Sequence, residues 1–242
     1  MRVDRHRRRR AVLVPVGAAL VLVVLAAVRH PRPGLVPAPR AAARAAESQP
    51  SAPPPPTRRP TRPLARWHDV RLVVPVADPM CVCYHEASYR NALPMRPFGR
   101  LMRDANPTKF PADTAPMHGP AYVIMSSRGR STAATSAVDL VTRVGAPFRS
   151  PVDGVVVKVK PYRLYGRYPD TEVVIRPDAD PRYRVVMIHL ADVSVRPGER
   201  VVAGLTRLGI ARVFSFTSET DYYVAGHHPH VHLEVVDPQR PR

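Results

Sequence analysis

The sequence predicts a mainly β domain with antiparallel pairing, preceded by an apolar N-terminal segment and an extended linker. Three observations predict it. Past residue 67, short valine-rich runs alternate with Pro, Gly and Asp, as strands and turns do. No stretch past that point has the length and periodicity of an amphipathic helix, so helix-containing layer architectures are excluded. Before it, the composition shifts to arginine, alanine and proline, which cannot bury a core.

The N-terminal segment comes first. Arg2, Arg5 and Arg7 to Arg10 precede the uncharged run Ala11 to Val28. Eighteen apolar residues approach the ~20 that span a bilayer, and arginines on one flank keep that flank in the cytoplasm. Residues 1–30 therefore read as a basic segment with a transmembrane helix. A cleaved signal peptide, ending near Val24-Leu25-Ala26, is the alternative. Either way the rest of the chain lies outside, as a single-pass cell-membrane protein or as a secreted one. Residues 31–66, with four prolines at 53–56 and the Ala41 to Ala46 stretch, read as a disordered or PPII-like linker.

Charge supports that division. The chain of 242 residues carries a formal +18, and 34 of its 37 basic residues are arginine. Residues 1–66 hold 14 basic and 2 acidic side chains, whereas residues 67–242 hold 23 and 17. The surplus is 12 in the tail and 6 in the folded part, so the high pI is not the footprint of a nucleic-acid-binding domain. A basic arm beside anionic lipid or wall polymer accounts for it more simply.

In the folded part the expected strands are Val70–Val76, Ala121–Met125, Val155–Val159, Glu172–Ile175, Val185–Leu190, Val201–Val202 and Val231–Val236. Residues 67–130 form an N-terminal extension, residues 131–237 the core domain and residues 238–242 a tail. The extension holds Cys81-Val-Cys83-Tyr-His85, whose polar side chains share one face if the segment is a strand. A disulfide, free or intermolecularly paired thiols, and a metal row with His118 as a further ligand all remain open for it.

Four stretches of the core carry chemistry: Thr135-Ser-Ala-Val-Asp139-Leu140; Gly145-Ala-Pro147 with the Asp153-Gly154-Val155 turn; Met187-Ile-His189-Leu190 with Gly198 to Gly204; and Pro229-His230-Val-His232-Leu-Glu234. On a strand, His230 and His232 project to one face about 6–7 Å apart. One imidazole can bind a metal while the other stands beside it as acid or base. Asp139 offers a carboxylate ligand and His189 a further imidazole. Zinc on such ligands lowers the pKa of bound water towards ~7.

Together these stretches resemble the lysostaphin/LytM family of zinc metalloendopeptidases over about residues 131–237. The resemblance implies an antiparallel β-sandwich of the duplicated hybrid motif type and a Zn2+ cofactor. It assigns Asp139 and His232 as metal ligands and His189 and His230 as catalytic histidines. It implies activity on, or binding to, peptidoglycan peptides. Two positions depart from the pattern. Thr135 stands where the family has a zinc histidine, and Met187 where it has a tyrosine. A threonine hydroxyl is a poor zinc ligand, so the ligand set is one short; His227 and His228, in the long segment before His230, are the candidate substitutes. An active peptidoglycan hydrolase, an inactive module that regulates another wall hydrolase, and an adaptor built on the Cys81–His85 row are the three functions that follow.

Overall fold

The computed structural model describes residues 61–102 and 121–241. The apolar run Ala11–Val28, the linker up to residue 60 and His118 lie outside the described residues. Among the described residues no helix is long and apolar enough to cross a membrane. Among the described residues the regular structure is β apart from the 3-10 turn Glu219–Tyr222.

The first strand, β1 (Pro63–Trp67), begins inside the expected linker. It pairs with β2 (Val70–Val73) and β4 (Arg96–Pro97) in a three-stranded sheet. Leu64 and Leu72 are buried beneath it, so the domain includes residues ahead of Trp67.

The principal sheet has eight strands. It runs in spatial order β12 (Arg200–Val201), β8 (Gly154–Leu164), β9 (Tyr168–Pro177), β10 (Arg184–Ile188), β14 (His230–Val236), β6 (Ala137–Val141), β3 (Cys81–His85) and β5 (Val123–Ile124). A third sheet joins β11 (Leu190–Ala191), β13 (Arg207–Ala211) and β7 (Pro147–Arg149). Among the named strands pairing is antiparallel except between β3 and β5, and the isolated bridge Leu101–Tyr122 is also parallel, which corrects the all-antiparallel expectation. Residues 86–122 separate those two strands, and a connection of that length lets the chain return in the same direction.

The long β8–β9 hairpin turns at Tyr165 and Gly166, both at positive φ (52° and 70°). Near its other end Gly154 leaves no room for a side chain, since a Cβ there would run into the Arg176 carbonyl. The expected run Val185–Leu190 is two strands, not one: it breaks at His189, whose φ is 68°.

Strand alternation divides the principal sheet into two chemically different faces. One face sends Val82 and Tyr84 (β3), Val138 and Leu140 (β6), Val231, Leu233 and Val235 (β14), and Val185 and Met187 (β10) into the main core. There they meet Leu64, Leu72, Phe148 and Leu208 from the other two sheets. Each such side chain contributes about 1.5–3 kcal/mol by leaving water. The opposite face carries Cys81, Cys83 and His85; Ala137, Asp139 and Val141; and His230, His232 and Glu234. Cys81 and Cys83 are joined as a disulfide, and both cysteines pack with Val123, Met125 and Val141.

Candidate active site

Strand register assembles the polar face. Asp139 stands opposite His232 on one side and Cys83 on the other, so β6 is the middle strand of the cluster. His85, two residues beyond Cys83, stands opposite Ala137. His232 Nδ1 lies 2.8 Å from Asp139 Oδ1, and His85 Nε2 lies 3.1 Å from Asp139 Oδ2. His85, Asp139 and His232 each offer one ligand atom, all within 4.8 Å of one another.

Each imidazole is tied at its other nitrogen. His85 Nδ1 is 2.9 Å from the Glu86 carbonyl, which can only accept, so Nδ1 carries the proton. His232 Nε2 is 2.9 Å from Glu234 Oε1, a buried carboxylate. Tethering of this kind fixes the tautomer and ring orientation of metal-binding histidines.

Electrostatics follow from burial and proximity. Burial works against the Asp139 carboxylate, yet the imidazoles of His85 and His230 and the hydrogen bond from His232 hold it well below the usual range. Burial likewise opposes a charge on His232, but hydrogen bonds to Asp139 and Glu234 outweigh it and raise the ring to about 10. The arrangement thus concentrates carboxylate charge where a cation, proton or metal, would sit.

The donor set fits a zinc ion. Two imidazole nitrogens and a carboxylate are its usual protein ligands, and Zn–ligand bonds of about 2.0–2.1 Å place tetrahedral donors roughly 3.3 Å apart. The His85–Asp139 Oδ2 separation of 3.1 Å is close to that, and the His232–Asp139 Oδ1 separation of 2.8 Å is about half an ångström shorter.

The two histidines expected to do chemistry flank this cluster. His189 and His230 meet edge to face with ring centroids 5.1 Å apart, and His189 is 6.1 Å from His232. Burial pushes His230 down to about 4, so it is neutral at ordinary pH. Its Nδ1 lies 3.4 Å from the Thr220 hydroxyl. His189 is oriented by Asp170, which the sequence reasoning did not single out. Asp170 Oδ2 accepts from His189 Nδ1 at 2.8 Å and from the His189 backbone N–H at 3.2 Å. The Tyr162 hydroxyl donates to the same carboxylate, and Thr171 N–H donates to its other oxygen at 2.8 Å. These bonds hold the positive φ of His189, a conformation that costs on the order of 1–3 kcal/mol.

His227 and His228, expected as substitute ligands, are engaged elsewhere. His227 Nδ1 is 2.9 Å from Asp221 and its Nε2 2.8 Å from the Phe214 carbonyl; His228 Nε2 is 3.1 Å from the Ala225 carbonyl. The long segment instead builds a cleft of about 480 Å³ lined by residues 214–217, Asp221, Gly226 and His227. Phe214 packs edge-on to His189 at 5.2 Å, so the cleft opens beside the histidine pair. Thr135 sits in the turn before β6, where its carbonyl accepts the Met95 N–H at 3.0 Å. Glu234 was legible in part, because strand alternation puts it on the His230–His232 face. Asp170 and Glu172 alternate in the same way on β9, but nothing in the sequence ties Asp170 to His189.

Residues 133–241 match the family described as Peptidase family M23. No curated protein matches the chain. Among solved structures, the NMR structure of lysostaphin is similar at 19% identity and a TM-score of 0.34, covering 44% of this chain and 38% of that one. A zinc-containing peptidase from Vibrio cholerae is similar at 27% identity and a TM-score of 0.33, covering 44% and 28%. A putative peptidase M23 from Pseudomonas aeruginosa is similar at 24% identity and a TM-score of 0.29, covering 42% and 40%. The chain spans less than half the length of each.

Proposed function

We propose that this chain, whose residues 133–241 belong to peptidase family M23, is a zinc-dependent endopeptidase that cleaves peptide bonds of peptidoglycan outside the cell membrane. The observation that carries the proposal is the polar sheet face itself: a buried carboxylate among imidazoles, with a second, carboxylate-oriented histidine pair at a cleft beside it. A zinc ion held by Asp139 and His232 would polarise the scissile carbonyl and supply a hydroxide at neutral pH.

The chain's own residues would do the rest. His189 donates its Nδ1 proton to Asp170, which leaves Nε2 free to take a proton from the attacking water and return it to the leaving amine. His230, kept neutral by burial, accepts the Thr220 hydroxyl proton at Nδ1 and presents its Nε2–H to the developing oxyanion. Phe214 packs edge-on against His189 at 5.2 Å and shields that side of the ring. The location outside the membrane rests on the arginine-flanked run Ala11–Val28.

The test is zinc content of the purified full chain, together with release of peptide fragments from isolated peptidoglycan. About one zinc per chain with new amino termini in the wall material is the expected result. Zinc-loaded protein that releases nothing would overturn it. Thr135 and Met187 favour a second function, a module that binds wall peptides and regulates another hydrolase. Sedimentation with peptidoglycan without bond cleavage would identify it. Protease accessibility of the C-terminal domain on intact spheroplasts tests the location, and full protection from protease would place the domain inside.

A further inference from the structure

The family match begins at residue 133, and within it the histidine expected at position 135 is a threonine. We infer that His85, from the extension that precedes the matched segment, is the third metal ligand, so that the site is complete but drawn from a different strand. This rests on the proposal that the face binds zinc, and it identifies which residues close the site.

Four observations converge on His85. It lies on the same sheet face as Asp139 and His232, on the strand adjoining β6, with Asp139 central between β3 and β14. It is 2% exposed, so bulk solvent does not reach its ring. Its Nδ1 donates to the Glu86 carbonyl at 2.9 Å, which leaves Nε2 as the ring nitrogen turned towards Asp139. That Nε2 lies 3.1 Å from Asp139 Oδ2, close enough for both atoms to share one cation. A ring nitrogen and a carboxylate oxygen this close in a buried site share a cation, a proton or a metal ion. A metal ion that both coordinate is such a cation.

The surroundings are built to hold the ring. The Glu86 carbonyl that fixes Nδ1 also accepts from Arg130 Nη1 at 3.0 Å. The Glu86 carboxylate accepts the Ser127 hydroxyl at 2.5 Å and the backbone N–H groups of Arg128 and Arg130 at 3.0 and 2.8 Å. His85 is thereby tethered as His232 is by Glu234: one nitrogen turned to Asp139, the other tied by an acceptor. Thr135, in contrast, belongs to the turn before β6. The disulfide occupies both cysteines of the same row, which leaves His85 as the group of β3 able to ligate.

The test uses the full-length protein, stripped with a chelator and titrated with Zn2+ in competition with a chromophoric chelator. Wild type should take up one equivalent. His85→Ala and His85→Gln should each lower zinc affinity by more than 100-fold, beyond the 10–100-fold typical of residues that only support a ligand. Thr135→Ala should stay within threefold of wild type. Retained affinity in both His85 variants, or its loss in Thr135→Ala, overturns the inference. Because a buried histidine can be needed for folding, a second measurement uses wild type alone: the 15N resonance of His85 Nε2 should shift on zinc addition while Nδ1 stays protonated, and an unmoved Nε2 overturns the inference as well. The two proposals separate cleanly. Zinc-loaded, wall-cleaving protein that ignores His85 substitution defeats only the ligand assignment, whereas wild type that takes up no zinc defeats the peptidase proposal with it.

Discussion

Replacing Asp170 with asparagine removes one negative charge from behind His189 and keeps the side chain's shape. The carboxylate is 2% exposed and accepts from the His189 ring, the His189 backbone, Tyr162 and Thr171. A charge-assisted hydrogen bond of this kind is worth about 1.5–3 kcal/mol, and the amide can present its NH2 to His189 Nδ1 and stabilise the wrong tautomer. At 1.36 kcal/mol per decade of rate, kcat should fall by roughly 10- to 150-fold. The assay is release of amino termini from isolated peptidoglycan, with zinc content measured on the same samples. Zinc content should be unchanged, because Asp170 touches none of His85, Asp139 and His232. A kcat within threefold of wild type would refute the orienting role. Loss of zinc would show that the effect runs through the metal cluster instead.

Glu234→Gln removes the charge that ties His232 Nε2, so zinc affinity should fall about 10–100-fold by competitive chelator titration. Acid should act through Asp170. Burial pushes its carboxyl up, but the hydrogen bond and charge of His189, with Tyr162 and Thr171, hold it below the usual range. A depressed acid contributes stability that is complete above about pH 4 and is lost as pH falls through the folded value. Denaturation curves between pH 2 and pH 6 should therefore show wild type and Asp170→Asn converging below about pH 4. Phe148→Ala, in the core between the sheets, should cost about 3–5 kcal/mol in chemical denaturation. Gly209→Ala should also destabilise, since a Cβ there would stand 2.5 Å from the Ala191 carbonyl between β11 and β13; a melting temperature unchanged from wild type would contradict that packing.

The sequence by itself determined the fold class and much of the site's composition. Valine-rich runs with period-two alternation fix which side chains share a face, so His230, His232 and Glu234 could be grouped from spacing alone, as could Cys81, Cys83 and His85. The departure at Thr135 was equally visible, because it is a matter of residue identity. Only the tertiary structure decided which faces meet. The pairing of β3 with β6 joins residues 54 apart in the chain, Asp139 to His85, and the pairing of β6 with β14 joins residues 93 apart. Such register depends on how both strands bury their opposite faces in one core, which no local pattern encodes. The same reason hid Asp170: its link to His189 depends on a backbone kink at φ 68° that splits one apolar run into two strands. It also separates proximity in sequence from proximity in space. His227 and His228 adjoin the His230–His232 strand, yet Asp221 and the carbonyls of Phe214 and Ala225 hold them, while His85, some 140 residues earlier, stands beside Asp139.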